Sequence, residues 1–212
     1  MMITDFELDE ALKELKRSYT LDDIVWIRDL RYRQLRLCGE VDSASINELV
    51  YLINVINQDD FGIEPEKRKP IFLRVESVGG SVDDGFNLID TIKSSKTPVY
   101  TICTSYAYSM GFMIFLAGEK RYMSENAKCL IHDSSNFICN SSSKVKDTLL
   151  FQEKLDKRVK DYVLKNTTIN EKLFDKKLRI EWFLFADEAK ELGITHHILG
   201  VDCDIDDLSA VR

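Results

Sequence analysis

No apolar run in this 212-residue chain approaches the length of a membrane span. The stretch from Phe112 to Ala117 falls far short of the ~20 apolar residues a helix needs to cross a bilayer, so no membrane is expected as a partner. The start, Met1-Met2-Ile3-Thr4-Asp5-Phe6-Glu7, has neither the basic opening nor the apolar core of a secretion signal. Basic charge is in deficit: 29 Lys and Arg against 36 Asp and Glu leave a net charge of −7. With no basic footprint, nucleic acid is not an expected partner. Cysteine is unpatterned. Cys38, Cys103, Cys129, Cys139 and Cys203 are odd in number, and no pair has metal-ligand spacing. A disulfide framework and a metal centre are therefore not expected, whereas free, mostly buried thiols in a reducing, cytoplasmic compartment are. None of the five has the helix-start or histidine neighbourhood of a reactive thiol. Internal repeats, low-complexity tracts and linker-like stretches are also missing.

What is present describes an ordinary globular protein, 44% hydrophobic and 31% charged, long enough for one domain with a sizeable core. Residues 5–17 place Leu8, Ala11, Leu12 and Leu15 at helical spacing, a surface helix that serves either for packing or as a gate or docking segment. Arg33 to Cys38 alternates polar and apolar residues up to Gly39, which predicts a strand. Asp42 or Ser43 then caps a helix with Ile46, Leu49, Val50, Ile53 and Ile56 on its apolar face. Asp59 to Pro70 reads as a surface loop. The strand Ile71–Val75 runs into Glu76-Ser77-Val78-Gly79-Gly80-Ser81, and a helix from Val82 carries Phe86, Ile89 and Ile92. With the strand Val99–Cys103 this makes a βαβ crossover. Further on come strands at Lys120–Met123 and Cys129–His132, and a long helix from Ser141–Ser143 to about Lys165. Helices at 170–178 and 186–192 and a last strand from Ile194 to Leu199 complete a single α/β domain.

The working centre is placed at Tyr106-Ala107-Tyr108-Ser109-Met110-Gly111, between the strand ending at Cys103 and a helix predicted over Phe112–Ala117. A serine at a strand-to-helix turn ordinarily caps the helix. The same position also suits a nucleophile, because the first amides of the helix can meet an oxyanion forming beside it. Such a serine needs a base, its hydroxyl being almost wholly protonated at neutral pH. Of the three histidines, His132 ends an apolar strand, where site residues of α/β folds gather. His196 and His197 lie in the final strand and are expected as surface or packing residues. Gly79-Gly80 reads either as a tight turn alone or as a bare backbone that lets a substrate come close and supplies a donor to an oxyanion.

Taken in order, these features resemble the ClpP-like serine peptidases, the proteolytic subunit of the Clp protease. The resemblance runs from about Leu30 to Leu199. Glu76-Ser77-Val78-Gly79-Gly80-Ser81 stands where the family has a Ser-Pro-Gly-Gly turn, and Ala107-Tyr108-Ser109-Met110-Gly111 matches its Ala-Ser-Met-Gly nucleophile turn. Ala117-Gly118-Glu119-Lys120-Arg121-Tyr122, Leu130-Ile131-His132 and the Ala-x-Glu-Ala-x-x-x-Gly segment within Phe183–Gly193 also match. The resemblance implies a ClpP/crotonase-like fold of repeated β-β-α units with a protruding handle helix at about 142–165. It divides the chain into an N-terminal helical or axial segment at 1–25 and one peptidase domain at 26–212. Ser109 is implied as nucleophile, His132 as base, the amides of Gly80 and Met110 as oxyanion hole, and Gly79, Ser81 and Val82 as substrate contacts within an added-strand platform. No cofactor is implied. The implied assembly is a homo-oligomer of stacked heptameric rings that takes unfolded polypeptides from a hexameric AAA+ ATPase.

Several positions depart from the family pattern. Val78 replaces the turn proline, Tyr108 a small residue and Ser134 a proline. The N-terminal segment lacks the pore-loop pattern, and Lys177 stands where the orienting aspartate belongs. Two acids are left as the third member: Glu181, immediately before Trp182-Phe183 as in phage-type relatives, or Asp175, if two residues are inserted. Two other readings stay open, a catalytically weak ring subunit with a structural or regulatory role and a crotonase-type acyl-CoA enzyme.

Overall fold

The computed structural model describes residues 20–133 and 141–208, apart from the side chains of residues 142 and 143. The helix expected over residues 5–17, and the positions Ser134 and Cys139, lie outside the described residues. Among the described residues, no helix is long and apolar enough to cross a membrane.

The chain opens with α1 (Leu21–Arg31), capped by Thr20 and Asp23 through a reciprocal pair of side-chain bonds. It continues through β1 (Gln34–Val41), α2 (Ser43–Asp59), a 3-10 turn (Pro65–Lys67) and β2 (Ile71–Gly80). Next come α3 (Val82–Ser94), β3 (Val99–Cys103), β4 (Tyr106–Tyr108), α4 (Met110–Phe115), β5 (Arg121–Ser124) and β6 (Lys128–Ile131). The last elements are α5 (Ser142–Asn166), α6 (Glu171–Lys177), β7 (Trp182–Phe185), α7 (Ala186–Glu191), β8 (His197–Leu199) and a final 3-10 turn (Ile205–Leu208). This is a mixed α/β fold consistent with the ClpP architecture.

One strand organises the rest. β2 is buried continuously from Ile71 to Leu73 and alternates only after Leu73, with Ile71, Phe72, Leu73 and Val75 all at most 1% exposed. On one edge it carries β1 in parallel. The other edge is shared: Ile71–Arg74 pair with Val99–Ile102 of β3, and further along Ser77 pairs with Ala107 of β4. The sheet therefore forks at β2. One arm continues β3 to β5 to β8, the other β4 to β6 to β7. All pairings are parallel except β6 with β7. Parallel strands covered by helices bury both faces, which is why the strands read as short apolar runs.

Helices cover the sheet with the stripes their periodicity predicts. Ile46, Leu49 and Ile53 of α2 are buried, as are Leu88, Ile89 and Ile92 of α3. Each such side chain contributes about 1.5–3 kcal/mol on leaving water. α4 is different, with all six of its residues buried. Its far end is fixed by Thr101, whose hydroxyl donates to Phe115 O at 2.7 Å.

Some boundaries differ from the sequence expectation. β1 passes through Gly39 to Val41, because a register shift between Gly39 and Glu40, with Gly39 at φ 93°, absorbs the extra residue. Tyr106–Tyr108 forms a strand of its own rather than a turn. The helix expected at Phe112–Ala117 starts at Met110 and ends at Phe115. Ile194 and Thr195 do not join the last strand, since their amides donate to Ala189 O and close α7. Asp60 in the predicted surface loop is 1% exposed. Its carboxylate accepts two bonds from Arg33, at 2.7 and 2.6 Å, and one from Thr97 at 2.7 Å.

Candidate active site

Ser109 sits at the N-cap position of α4, yet its side chain makes no capping bond. Its backbone is at φ 52° and ψ −121°, a left-handed conformation uncommon outside glycine that costs on the order of 1–3 kcal/mol. A sharp strand-to-helix turn of this kind lifts a serine hydroxyl clear of its own helix. The turn is held by Ser109 N donating to Leu130 O at 3.0 Å, which extends the β4–β6 ladder by one bond. His132 follows directly on β6. Ser109 and His132 thereby line the same cavity, whose other walls include Val82, Phe112, Val159 and Phe174.

The glycine turn closes on this serine. Gly79 and Gly80 both have positive φ, 96° and 147°. A methyl built on Gly79 would lie 2.7 Å from Ser109 Cβ and 3.0 Å from Met110 N; one built on Gly80 would lie 2.3 Å from Val41 O. The bare face of Gly79 thus meets the Ser109 turn and that of Gly80 meets β1. Ser77, fully buried, braces the bend: its Oγ accepts from Gly79 N at 3.1 Å and donates to Gly39 O at 2.6 Å. Ser81 caps α3 by accepting from Asp84 N at 3.3 Å, and Val82 lines the cavity.

Glu181 reaches the histidine through strand register. Ile131 pairs with Trp182 in the antiparallel β6–β7 ladder, so the residues one step outward, His132 and Glu181, face each other. His132 Nδ1 lies 3.8 Å from Glu181 Oε1. That separation is longer than a hydrogen bond. The Glu181 side chain is 63% exposed. Asp175 instead pairs with Lys160 at 2.7 Å, and Lys160 also holds Glu171 at 2.8 Å.

A family model described as Clp protease matches residues 19–202 of this chain. The chain belongs to the Clp protease family. It is also 27% identical over 193 residues to a protein of Treponema denticola named ATP-dependent Clp protease proteolytic subunit 2, covering 90% of this chain and 94% of that relative.

Within this Clp protease-family chain, Tyr108, Lys177 and Val78, three of the departures noted in the sequence, are not among the cavity walls. Tyr108 turns its ring onto β7, edge-on to Phe183 at 5.7 Å, and is not among the cavity walls. Lys177 lays its ammonium 5.6 Å above the Trp182 ring. Val78 is exposed on the outer side of the glycine turn. Two acids missed by motif reading, Asp133 and Asp156, also border the cavity. Asp133 directly follows His132, but Asp156 lies on α5, and nothing in its local sequence marks it. His196 is exposed at the surface, its Nδ1 accepting from Arg121 N at 3.2 Å. Of the thiols, Cys103 and Cys129 are buried; burial pushes Cys103 up to about 12 and Cys129 well above the ordinary thiol range. Cys38, by contrast, is exposed.

Proposed function

We propose that this ClpP-type chain hydrolyses peptide bonds as a serine endopeptidase, with Ser109 as nucleophile and His132 as general base. The observation that carries the reading is the strained Ser109 turn, its hydroxyl uncommitted to the helix, opening into one cavity with His132. Ser109 Oγ attacks the peptide carbonyl while His132 accepts its proton. The tetrahedral oxyanion is met by the amides of Met110 and Gly80. His132 then returns the proton to the leaving amine, and water, activated by the same imidazole, releases the acyl group. Glu181 holds the imidazole from the far side. No cofactor enters any step.

Substrate lies along the glycine turn as an added strand. β2 pairs with β4 only at Ser77, so on that side its edge from Val78 onward carries no ladder among the described residues. An extended peptide bonding there presents its carbonyl to Ser109 and places one side chain in the cavity beside it. Most of the cavity wall is apolar, including Val82, Phe112, Val159 and Phe174, with Asp133 and Asp156 at its border, so an apolar side chain before the scissile bond fits best. The chain assembles into stacked heptameric rings, and polypeptide is delivered by a hexameric AAA+ ATPase. The Treponema relative's ATP-dependent name and the exposed Leu149, Leu150 and Phe151 on α5 support that assembly.

A second reading, a catalytically weak ring subunit, draws on one observation, the 3.8 Å separation of His132 and Glu181. Labelling with a fluorophosphonate or β-lactone probe, alongside turnover of a fluorogenic peptide, separates the two. The active enzyme labels at Ser109 and turns over, and Ser109→Ala loses labelling and roughly 10⁶-fold in rate. Undiminished labelling of Ser109→Ala would rule out the nucleophile assignment, and labelling without turnover would favour the weak subunit.

A further inference from the structure

On the arm of the sheet away from Ser109, the chain leaves β8 and turns back on itself. Gly200, at φ 83°, makes the reversal. Gly200 N donates to Cys203 O at 2.9 Å, and Cys203 bridges to Leu199. The amides of Val201 and Asp202 both donate to Ile198 O at 3.1 Å. The Asp202 carboxylate in turn accepts from Ile198 N, at 3.2 and 3.3 Å, so its position is set by backbone bonds. His197 is fixed independently, its ring stacked on Tyr122 at 5.1 Å with 23° between the planes. Its Nδ1 lies 3.3 Å from Asp202 Oδ1. One ring nitrogen of His197, a carboxylate oxygen of Asp202 and Cys203 Sγ all lie within 4.8 Å of one another.

We propose that His197, Asp202 and Cys203 bind a divalent cation of the zinc class. One imidazole nitrogen, one carboxylate oxygen and one sulfur are the donor types zinc takes, and the thiol excludes calcium and magnesium, which prefer oxygen alone. In a tetrahedral site such donors stand about 3.3–3.8 Å apart, so the widest pair must close by about 1 Å. Cys203 and His197 are only partly buried and Asp202 is exposed, which leaves an entry path and a fourth position for water. The surroundings are anionic. Asp202, Asp204 and Asp207 all act on Cys203 through their negative charge. One cation competes: Lys190 Nζ contacts Asp202 Oδ2 at 2.5 Å, on the oxygen away from His197. The metal has no part in peptide hydrolysis, because β8 and β4 lie on opposite arms of the fork. It ties the turn to β8 and so anchors the final 3-10 turn, whose Leu208 packs with Phe72, Ile102 and Tyr122.

Titration of the full chain with Co²⁺ tests this directly. One equivalent per chain should bind and give a sulfur-to-cobalt charge-transfer band that Zn²⁺ bleaches and Mg²⁺ does not. Cys203→Ser should lose the band, His197→Gln should weaken binding by tenfold or more, and His132→Ala should leave both unchanged. Lys190→Ala keeps all three donors and should show the band with tighter binding, so the test does not depend on how well the ligand variants fold. Zn²⁺ should raise the Tm of the unsubstituted chain and not that of Cys203→Ser. No band in either the unsubstituted chain or Lys190→Ala, or a full band in Cys203→Ser, overturns the proposal.

Discussion

Ser109 is held in a conformation its side chain disfavours, and the residue opposite makes room for it. Replacing Gly79 by alanine sets a methyl 2.7 Å from Ser109 Cβ, on a residue whose φ of 96° already resists a side chain. The expected result is loss of about 10²-fold or more in kcat, since small displacements of a reacting group cost that much, with circular dichroism close to that of the unsubstituted chain. Unchanged kcat in Gly79→Ala would show that the two turns do not constrain each other. The acid is tested at the same scale. Glu181→Gln should reduce kcat about 10²-fold, and Asp175→Asn should leave it near the unsubstituted value. The reverse order would make Asp175 the orienting group despite its pairing with Lys160. From residues alone, Glu181 is one of two acids near the right place. What separates it from Asp175 is the pairing of Ile131 with Trp182, a contact between distant parts of the chain that local spacing does not encode.

At the scale of elements, the Asp60 carboxylate pins the end of α2 to the start of β1 and to the loop before β3. Burial alone would push it up, but hydrogen bonds from Arg33 and Thr97 and the charge of Arg33 hold it below the ordinary carboxylate range. A depressed acid stabilises the folded state fully above the unfolded value, about pH 4, and loses that contribution as pH falls through the folded value. Asp60→Asn should therefore be less stable by about 3 kcal/mol near pH 7, and the gap should narrow below about pH 4. A gap in denaturant midpoint that stays constant from pH 7 to pH 3 would contradict this. Sequence reading placed Asp60 in a surface loop because its partners are 27 and 37 residues away. β2, α3 and β3 were readable since each buries a continuous apolar run or stripe. β4 was not: its three residues alternate half-exposed tyrosines around Ala107, and its pairing with β2 is a single position. Cys203 escaped notice as a metal donor for a related reason, its co-ligands being a histidine and an aspartate within one turn rather than a second cysteine.

For the whole molecule, the expected assembly has a size that can be measured. Sedimentation of the full chain should show particles of seven or fourteen copies, and Phe151→Glu on the exposed face of α5 should shift fourteen toward seven. A monomer at every concentration would remove the ring from the proposal while leaving the hydrolytic chemistry standing. The forked sheet has one more consequence. Ser109 follows β4, the first strand of one arm, while the outermost strand of the other arm, β8, leads into the turn after it, and β2 is the strand both arms grow from. A fluorophore placed at Val201, which is 63% exposed, would therefore watch a region the substrate never touches. If its signal changes when an acyl group sits on Ser109, the motion has travelled through the trunk, and the fork works as a lever rather than as two independent limbs.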